Sequence, residues 1–346
     1  MNPKTRKRLL TLLKWSISFV ILGLLYYQAK QDDQFNELWA SQKHYGWLLF
    51  ALAAGLTTFL ISFFRWYILV RALDLKFTYY DAVRLGFLGN LMNLISIGVL
   101  GGDAVKSVFL AKQLPGRAAE AVASVIFDRA IGLLAMFSFA SVAYLLTDFS
   151  SINAPQDEEG KLALDALHLV CRITILLTII GFVGLGVLFF TPRFHKTKLY
   201  KRVVKIKSIG GLFARLVSVV LAYRRHSGAV VAAFGLSLLV NVGFALSLYG
   251  VASGLFTDNP TLADHFVITP IAMVANAVPL PGGLGGMEAA VAFLYQAFSN
   301  NQDASHGFIV ALGFRVILLS IAGIGLIFYL CDKKELKAMS GSKLSV

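Results

Sequence analysis

Apolar runs of about 20 residues recur along this chain, and a helix of that length crosses a hydrocarbon core of roughly 30 Å. Backbone N–H and C=O groups find no water there, so a crossing run must pair them within itself, as an α-helix does. The uninterrupted runs lie at 15–29, 46–70, 118–146, 166–190, 227–256 and 307–330. Two further apolar segments, 82–115 and 264–298, are broken by glycine, proline and charge. No stretch between the runs can bury a core of its own; the longest is basic, from Arg193 to His226. Only 15% of residues are charged, against about a quarter in soluble proteins, and they cluster between the runs. The expectation is an all-α, polytopic integral membrane protein, a single transmembrane domain over residues 1–346.

A net charge of +13 raises nucleic acid as a partner. The excess flanks apolar runs, however, which is the positive-inside pattern and points to membrane phospholipids instead. Lys4, Arg6, Lys7 and Arg8 put the N-terminus inside, and the run behind them lacks a small-x-small cleavage site, so it reads as an uncleaved first span. Loop 30–45 carries Asp32, Asp33 and Glu37, and loop 147–165 carries Asp148, Asp157, Glu158, Glu159 and Asp165; both read as outside. Arg65, Arg71, Lys76 and Arg84 mark an inner side, as do the basic stretch 193–225 and Lys333, Lys334 and Lys337 of the tail. Both termini are therefore expected in the cytoplasm, with a bacterial inner (cytoplasmic) membrane as the setting.

These sides constrain the broken segments. Residues 71–84 and 106–117 are both inside, and 257–264 and 299–306 are both outside, so each segment is expected to enter and leave on one face. That gives six crossings and two re-entrant helical hairpins of opposite orientation. The hairpins share a pattern. Leu100-Gly101-Gly102-Asp103 is followed by Arg129, and Leu284-Gly285-Gly286-Met287-Glu288 by Arg315. Spans 46–70 and 227–256, which precede them, run in opposite directions. Halves 46–146 and 227–330 are thus expected to form an inverted repeat.

The stretch from Pro279 through Pro281, Gly282, Gly283, Gly285 and Gly286 cannot be continuous helix, since proline lacks the donor and each glycine costs about 1 kcal/mol relative to alanine. A helix should begin near Met287 with Glu288 in its first turn, either as a capping acid or as an acid facing a cation; the two roles are compatible. Arg315 lies inside its span, where an unpaired arginine costs at least about 2.5 kcal/mol. It either snorkels or holds an anion. Asp128-Arg129 reads as a surface ion pair or as part of a site, and Asp103 and Lys106 as a capped, solvated turn or as ligands. Asn90, Asn93 and Asn276 read as interhelical hydrogen-bonding amides. The stretch 193–225 suits either an amphipathic helix on the inner leaflet or a solvated linker.

No Walker A, His-Glu-x-x-His or Gly-x-Ser-x-Gly motif occurs, and the six histidines are scattered, mostly in expected loops. Cys171 and Cys331 form neither a disulfide framework nor a metal site. No enzyme, metal or cofactor is expected.

Pro281-Gly282-Gly283-Leu284-Gly285-Gly286-Met287-Glu288 resembles the proline, paired-glycine and glutamate pattern of the lysylphosphatidylglycerol synthase/flippase transmembrane family. Gly98 to Arg129 resembles that family's other signature, a glycine turn with an acid and a base one turn on (Asp103 and Lys106), then an acid-arginine pair (Asp128-Arg129). It departs from that signature with Val99-Leu100 where proline is usual, Asp103 for glutamate and Lys106 for arginine. Arg315 matches an arginine of the last span, so the resemblance runs over essentially the whole chain. It implies movement of phospholipid, aminoacylated in that family, between leaflets. Residues 331–346 leave no room for the soluble synthase domain, so a flippase-like protein without it is expected. On this reading Arg315 and Arg129 hold the lipid phosphate, and Glu288 and Asp103 pair with those arginines or with a cationic head group. Asp128 and Lys106 complete the site, in a polar cleft formed by both hairpins. Membrane phospholipids, a second copy of the chain or a lipid-modifying enzyme are the expected partners. A secondary transporter of a small anion or glycoside, and a non-transporting scaffold, remain as alternatives.

Overall fold

The computed structural model describes residues 23, 26, 27, 43–95, 101–114, 116–147, 158–191, 197–206, 210–276, 285–298 and 304–331. Every regular element among them is helical. In chain order these are α1 (Tyr45–Ala72), α2 (Tyr79–Ile95), α3 (Gly101–Gln113), α4 (Ala118–Leu146), α5 (Glu158–Phe190), α6 (Lys198–Val204) and α7 (Gly210–Tyr223), then α8 (Ser227–Leu255), α9 (Leu262–Asn276), α10 (Gly286–Phe298) and α11 (Ala304–Cys331). Five helices are long and apolar enough to cross a membrane among the described residues, and they match five of the six expected runs. Most of the run at 15–29 lies outside the described residues. Side chains of α5 such as Leu169, Ile173, Leu176, Ile180 and Val183 are largely exposed, an apolar surface that suits lipid rather than water. The chain is a multi-pass helical membrane protein.

The centre is an antiparallel seam between α1 and α8. Leu48 meets Gly254, Ala51 meets Gly250 and Thr58 meets Gly243. A Cβ on Gly243 would lie 2.1 Å from Thr58 Oγ1, so the backbones approach as closely as small residues allow. Ser247 Oγ donates to the Ala51 carbonyl at 2.8 Å across the seam. From Leu48 to Arg65 the contact runs about 25 Å at 1.5 Å per residue, close to the thickness of the hydrocarbon core.

Each of these helices is followed by a pair of short helices packed on one another, α2 with α3 and α9 with α10, and then by a long helix. The packing is reciprocal: α11 lies on α2, and α4 lies on α9. The first helix of each short pair also begins the same way. Thr78 and Asp81 exchange a reciprocal cap at α2, with Thr78 N–H donating to Asp81 Oδ2 at 3.1 Å and Asp81 N–H to Thr78 Oγ1 at 3.2 Å. Thr261 and Asp264 do the same at α9, at 2.8 and 3.3 Å. Two buried clusters result. One is built mainly on α1 to α4 and holds Trp66, Leu85, Leu110 and Phe127. The other is built mainly on α8 to α11 and holds Leu248, Ile271, Val291 and Phe314.

Within the basic stretch, α7 is not a solvated linker. It packs on α4 and α5, and its Tyr223 is buried, stacked on Phe127 at 4.2 Å with its hydroxyl donating to the Leu69 carbonyl.

Candidate functional site

Arg65 corrects one reading of the charges. It does not belong with the loop cations. It sits inside α1, only 6% exposed, and reaches across the seam. Its Nε donates to Asp128 Oδ1 at 2.8 Å, Nη2 to Asp128 Oδ2 at 3.0 Å and Nη1 to Ser237 Oγ at 2.9 Å. This forked geometry is the strong form of an arginine–carboxylate pair. Gly132, one turn beyond Asp128, makes room for the guanidinium; a Cβ there would stand 3.0 Å from Nη1. Asp128 is therefore an interior residue at the junction of α1, α4 and α8, not a surface acid.

Beside it lies the first short pair. Gly89 and Gly102 bring α2 and α3 so close that a Cβ on Gly102 would fall 2.1 Å from the Gly89 carbonyl oxygen. Gly101 begins α3, and Asn93 Oδ1 accepts the Gly102 N–H at 2.7 Å, satisfying one of the amides a helix start leaves open. Asp103, in that first turn, accepts a hydrogen bond from Arg129 Nε. One turn on, the Lys106 ammonium lies 5.3 Å from the Trp66 ring centre and 5.8 Å from that of Phe63.

Arg65, Lys106, Asp128 and Arg129 border one cavity of about 210 Å³, together with Asn90, Ser237 and Asn241. The Asn90 side-chain nitrogen is buried and has no hydrogen-bond partner among the described residues. Along the same helices, α4, α8 and α9, lies a larger space of about 900 Å³, lined by Phe139, Val142, Phe234, Leu238 and Phe266, with α5 closing a side. Its few hydroxyls are already engaged: Ser138 donates to the Leu134 carbonyl, and Ser141 meets Thr178. The lining is thus effectively apolar. Leu133 and Met136 of α4 line the polar cavity, and Ser138 and Phe139, a turn further on, line the apolar one.

The second short pair is built differently. Glu288, fully buried, accepts from Arg315 Nε at 2.8 Å through Oε1, while Oε2 accepts the Gly285 N–H at 2.9 Å. Gly285 has φ +96°, a conformation that suits glycine, and α10 starts at Gly286. Glu288 is thus a capping acid and an arginine partner at once. Neither it nor Arg315 borders the polar cavity, to which this pair contributes Met273 alone among the described residues. Pro281, Gly282 and Gly283 lie outside the described residues, as does the Asn276 side chain.

The structure thus joins Arg129 to Asp103 and Arg315 to Glu288, and gathers Arg129, Asp128 and Lys106 at one cavity. The sequence reading missed Arg65, Ser237 and Asn241 as cavity residues. A signal for Arg65 was present: Trp66 to Val70 continue the apolar run beyond it, so it is not at a loop. The histidines also need correcting. His265 is buried in α9, its ring bridging the Thr261 carbonyl and the Tyr295 hydroxyl at 2.8 and 2.6 Å. His168 and His306 are helical too; His168 meets the Tyr144 hydroxyl and His306 stacks on Phe256.

No curated protein matches the chain. The profile of one family, the lysylphosphatidylglycerol synthase TM region, matches residues 11–325. With the match spanning nearly the whole sequence, this chain belongs to the lysylphosphatidylglycerol synthase transmembrane-region family.

Proposed function

We propose that this protein binds a phospholipid by its head group in the polar cavity and moves it between leaflets, without catalysing a covalent reaction. One observation carries the reading. A cavity with Arg65, Lys106 and Arg129 on its wall abuts an apolar space along the same three helices. An amphiphile has that same division: an anionic phosphate joined to hydrocarbon. Burying cations in a membrane interior is costly, by about 2.5–3.5 kcal/mol each on insertion scales, and such residues mark substrate paths. Family membership supports a protein of the lipid-modifying or flippase kind.

In this reading the two short helix pairs are re-entrant hairpins of opposite orientation. The antiparallel seam, the reciprocal packing and the repeated Thr/Asp cap support an inverted repeat with halves 46–146 and 227–330. The charge bias of the loops supports cytoplasmic termini in a bacterial inner membrane.

The test is movement of labelled phospholipid in reconstituted liposomes. Wild type should exceed empty liposomes, and Val142→Trp, which obstructs part of the apolar space, should slow movement while leaving the melting temperature near wild type. Movement equal to that of empty liposomes would remove the proposal.

A further inference from the structure

The polar cavity carries more positive than negative charge. Its cations are Arg65, Lys106 and Arg129. Two carboxylates answer them. Both oxygens of Asp128 are taken by Arg65, and Oδ2 of Asp103 accepts from Arg129 Nε. No salt bridge to Lys106 forms among the described residues, so its ammonium is the charge in excess. Its place is a built one. Gly89 leaves room for the stem, since a Cβ there would stand 2.7 Å from Lys106 Cε. The faces of Trp66 and Phe63 hold the ammonium without supplying a counter-charge.

The neighbouring unused groups are donors as well. The Asn90 side-chain nitrogen is buried and, among the described residues, unpartnered. Asp103 engages only Nε of Arg129, whose side chain remains 41% exposed. An ammonium, an amide N–H pair and the end of a guanidinium therefore border one space, and the carboxylate on its wall, Asp128, is held by Arg65 through both oxygens.

We infer that this cavity takes a phosphodiester bearing one negative charge and no ammonium, with Lys106 as the selecting cation. The inference rests on the phospholipid reading and narrows it. One diester charge matches the one cation in excess. A phosphomonoester, near −1.5 to −2 at neutral pH, would overcharge the site. A zwitterionic head group would bring an ammonium to a wall whose carboxylate, Asp128, is already held by Arg65. A lysylated head group would bring two. Selectivity should therefore run from anionic through zwitterionic to cationic lipids.

The test uses the full chain in neutral detergent, titrated separately with phosphatidylglycerol, phosphatidylethanolamine, lysylphosphatidylglycerol and the soluble diester glycerophosphoglycerol, with binding read by native mass spectrometry. Wild type should bind phosphatidylglycerol about tenfold more tightly than phosphatidylethanolamine, the size of one partly screened charge contact. It should bind the lysylated lipid weakest. Lys106→Met should erase the preference, and Lys106→Arg should keep it. The wild-type ranking and its weakening by salt need no variant, so a misfolded Lys106→Met leaves the test intact. Equal binding of the anionic and zwitterionic lipids, or tighter binding of the lysylated one, overturns the inference and leaves the phospholipid reading standing. A soluble diester bound as tightly as the lipid supports the charge match and overturns the lipid source. No binding by any phospholipid overturns both.

Discussion

The two halves share a framework and differ at the positions that line the cavity. Counting from the repeated Thr/Asp caps, Arg65 stands thirteen residues before Thr78, and Leu248 thirteen before Thr261. Asn90 corresponds in the same way to Met273. Counting from the paired acids, Lys106 corresponds to Val291, and counting from the paired arginines, Asp128 corresponds to Phe314. Arg65, Asn90, Lys106 and Asp128 thus each correspond to an apolar residue in the second half, whereas the acid–arginine pair is kept. Leu248, Val291 and Phe314 are buried together in one cluster. The same arrangement of helices borders a polar cavity on one side and an apolar cluster on the other. An acid–arginine pair therefore means different things in the two places. Arg129 is 41% exposed at the cavity edge, whereas Arg315 is 14% exposed against a carboxylate that is fully buried.

Glu288→Ala should then show the largest effect on stability. It leaves Arg315 without its carboxylate in a buried setting, a loss of about 3–5 kcal/mol. The paired change Glu288→Leu with Arg315→Met should recover much of it, because neither charge is left alone. Unfolding in mild detergent, followed for the single and paired variants, checks both numbers; a single variant as stable as wild type breaks the contrast.

Asp128→Ala should cost about 3 kcal/mol by stranding Arg65. Arg65→Leu with Asp128→Phe copies the second half into the first. That pair should fold with a melting temperature near wild type and lose phospholipid binding. A pair that unfolds would show that the polar junction holds the first half together.

The caps offer a control in which the halves should agree. Thr78→Ala and Thr261→Ala remove equivalent hydrogen bonds, so each should cost about 1 kcal/mol. Hydrogen exchange at the first turns of α2 and α9 would reveal unequal losses. Smallest of all is Asp103→Asn, about 1 kcal/mol, because Arg129 is 41% exposed and the asparagine oxygen still accepts its N–H.

Much of the framework was legible because a membrane leaves few options. Run length marked the long helices, and glycine and charge marked the broken segments. The partners of Glu288 and Asp103 were legible as well, since each arginine follows its acid at a matching distance along the chain. Arg65 was harder. Its partners lie 63 and 172 residues away, and only the seam of small residues between α1 and α8 brings them within reach. The same holds for Lys106, whose aromatic neighbours come from another helix. Among the described residues the expected pooling of charges from both short pairs is not seen at the cavity, for a related reason. Glycines and an acid repeat visibly in the sequence, but whether their surroundings are polar depends on residues far from the motif, such as Leu248 and Phe314.

The central claim is that the first half, through Arg129, handles the phosphate. It is tested most directly by phospholipid movement in liposomes containing Asp103→Asn with Arg129→Gln, a pair that removes the interaction and leaves neither charge alone. The expected result is a fall of about tenfold or more, the loss of one charge-assisted hydrogen bond, with the melting temperature close to wild type. Movement at the wild-type rate by this stable variant would contradict the account.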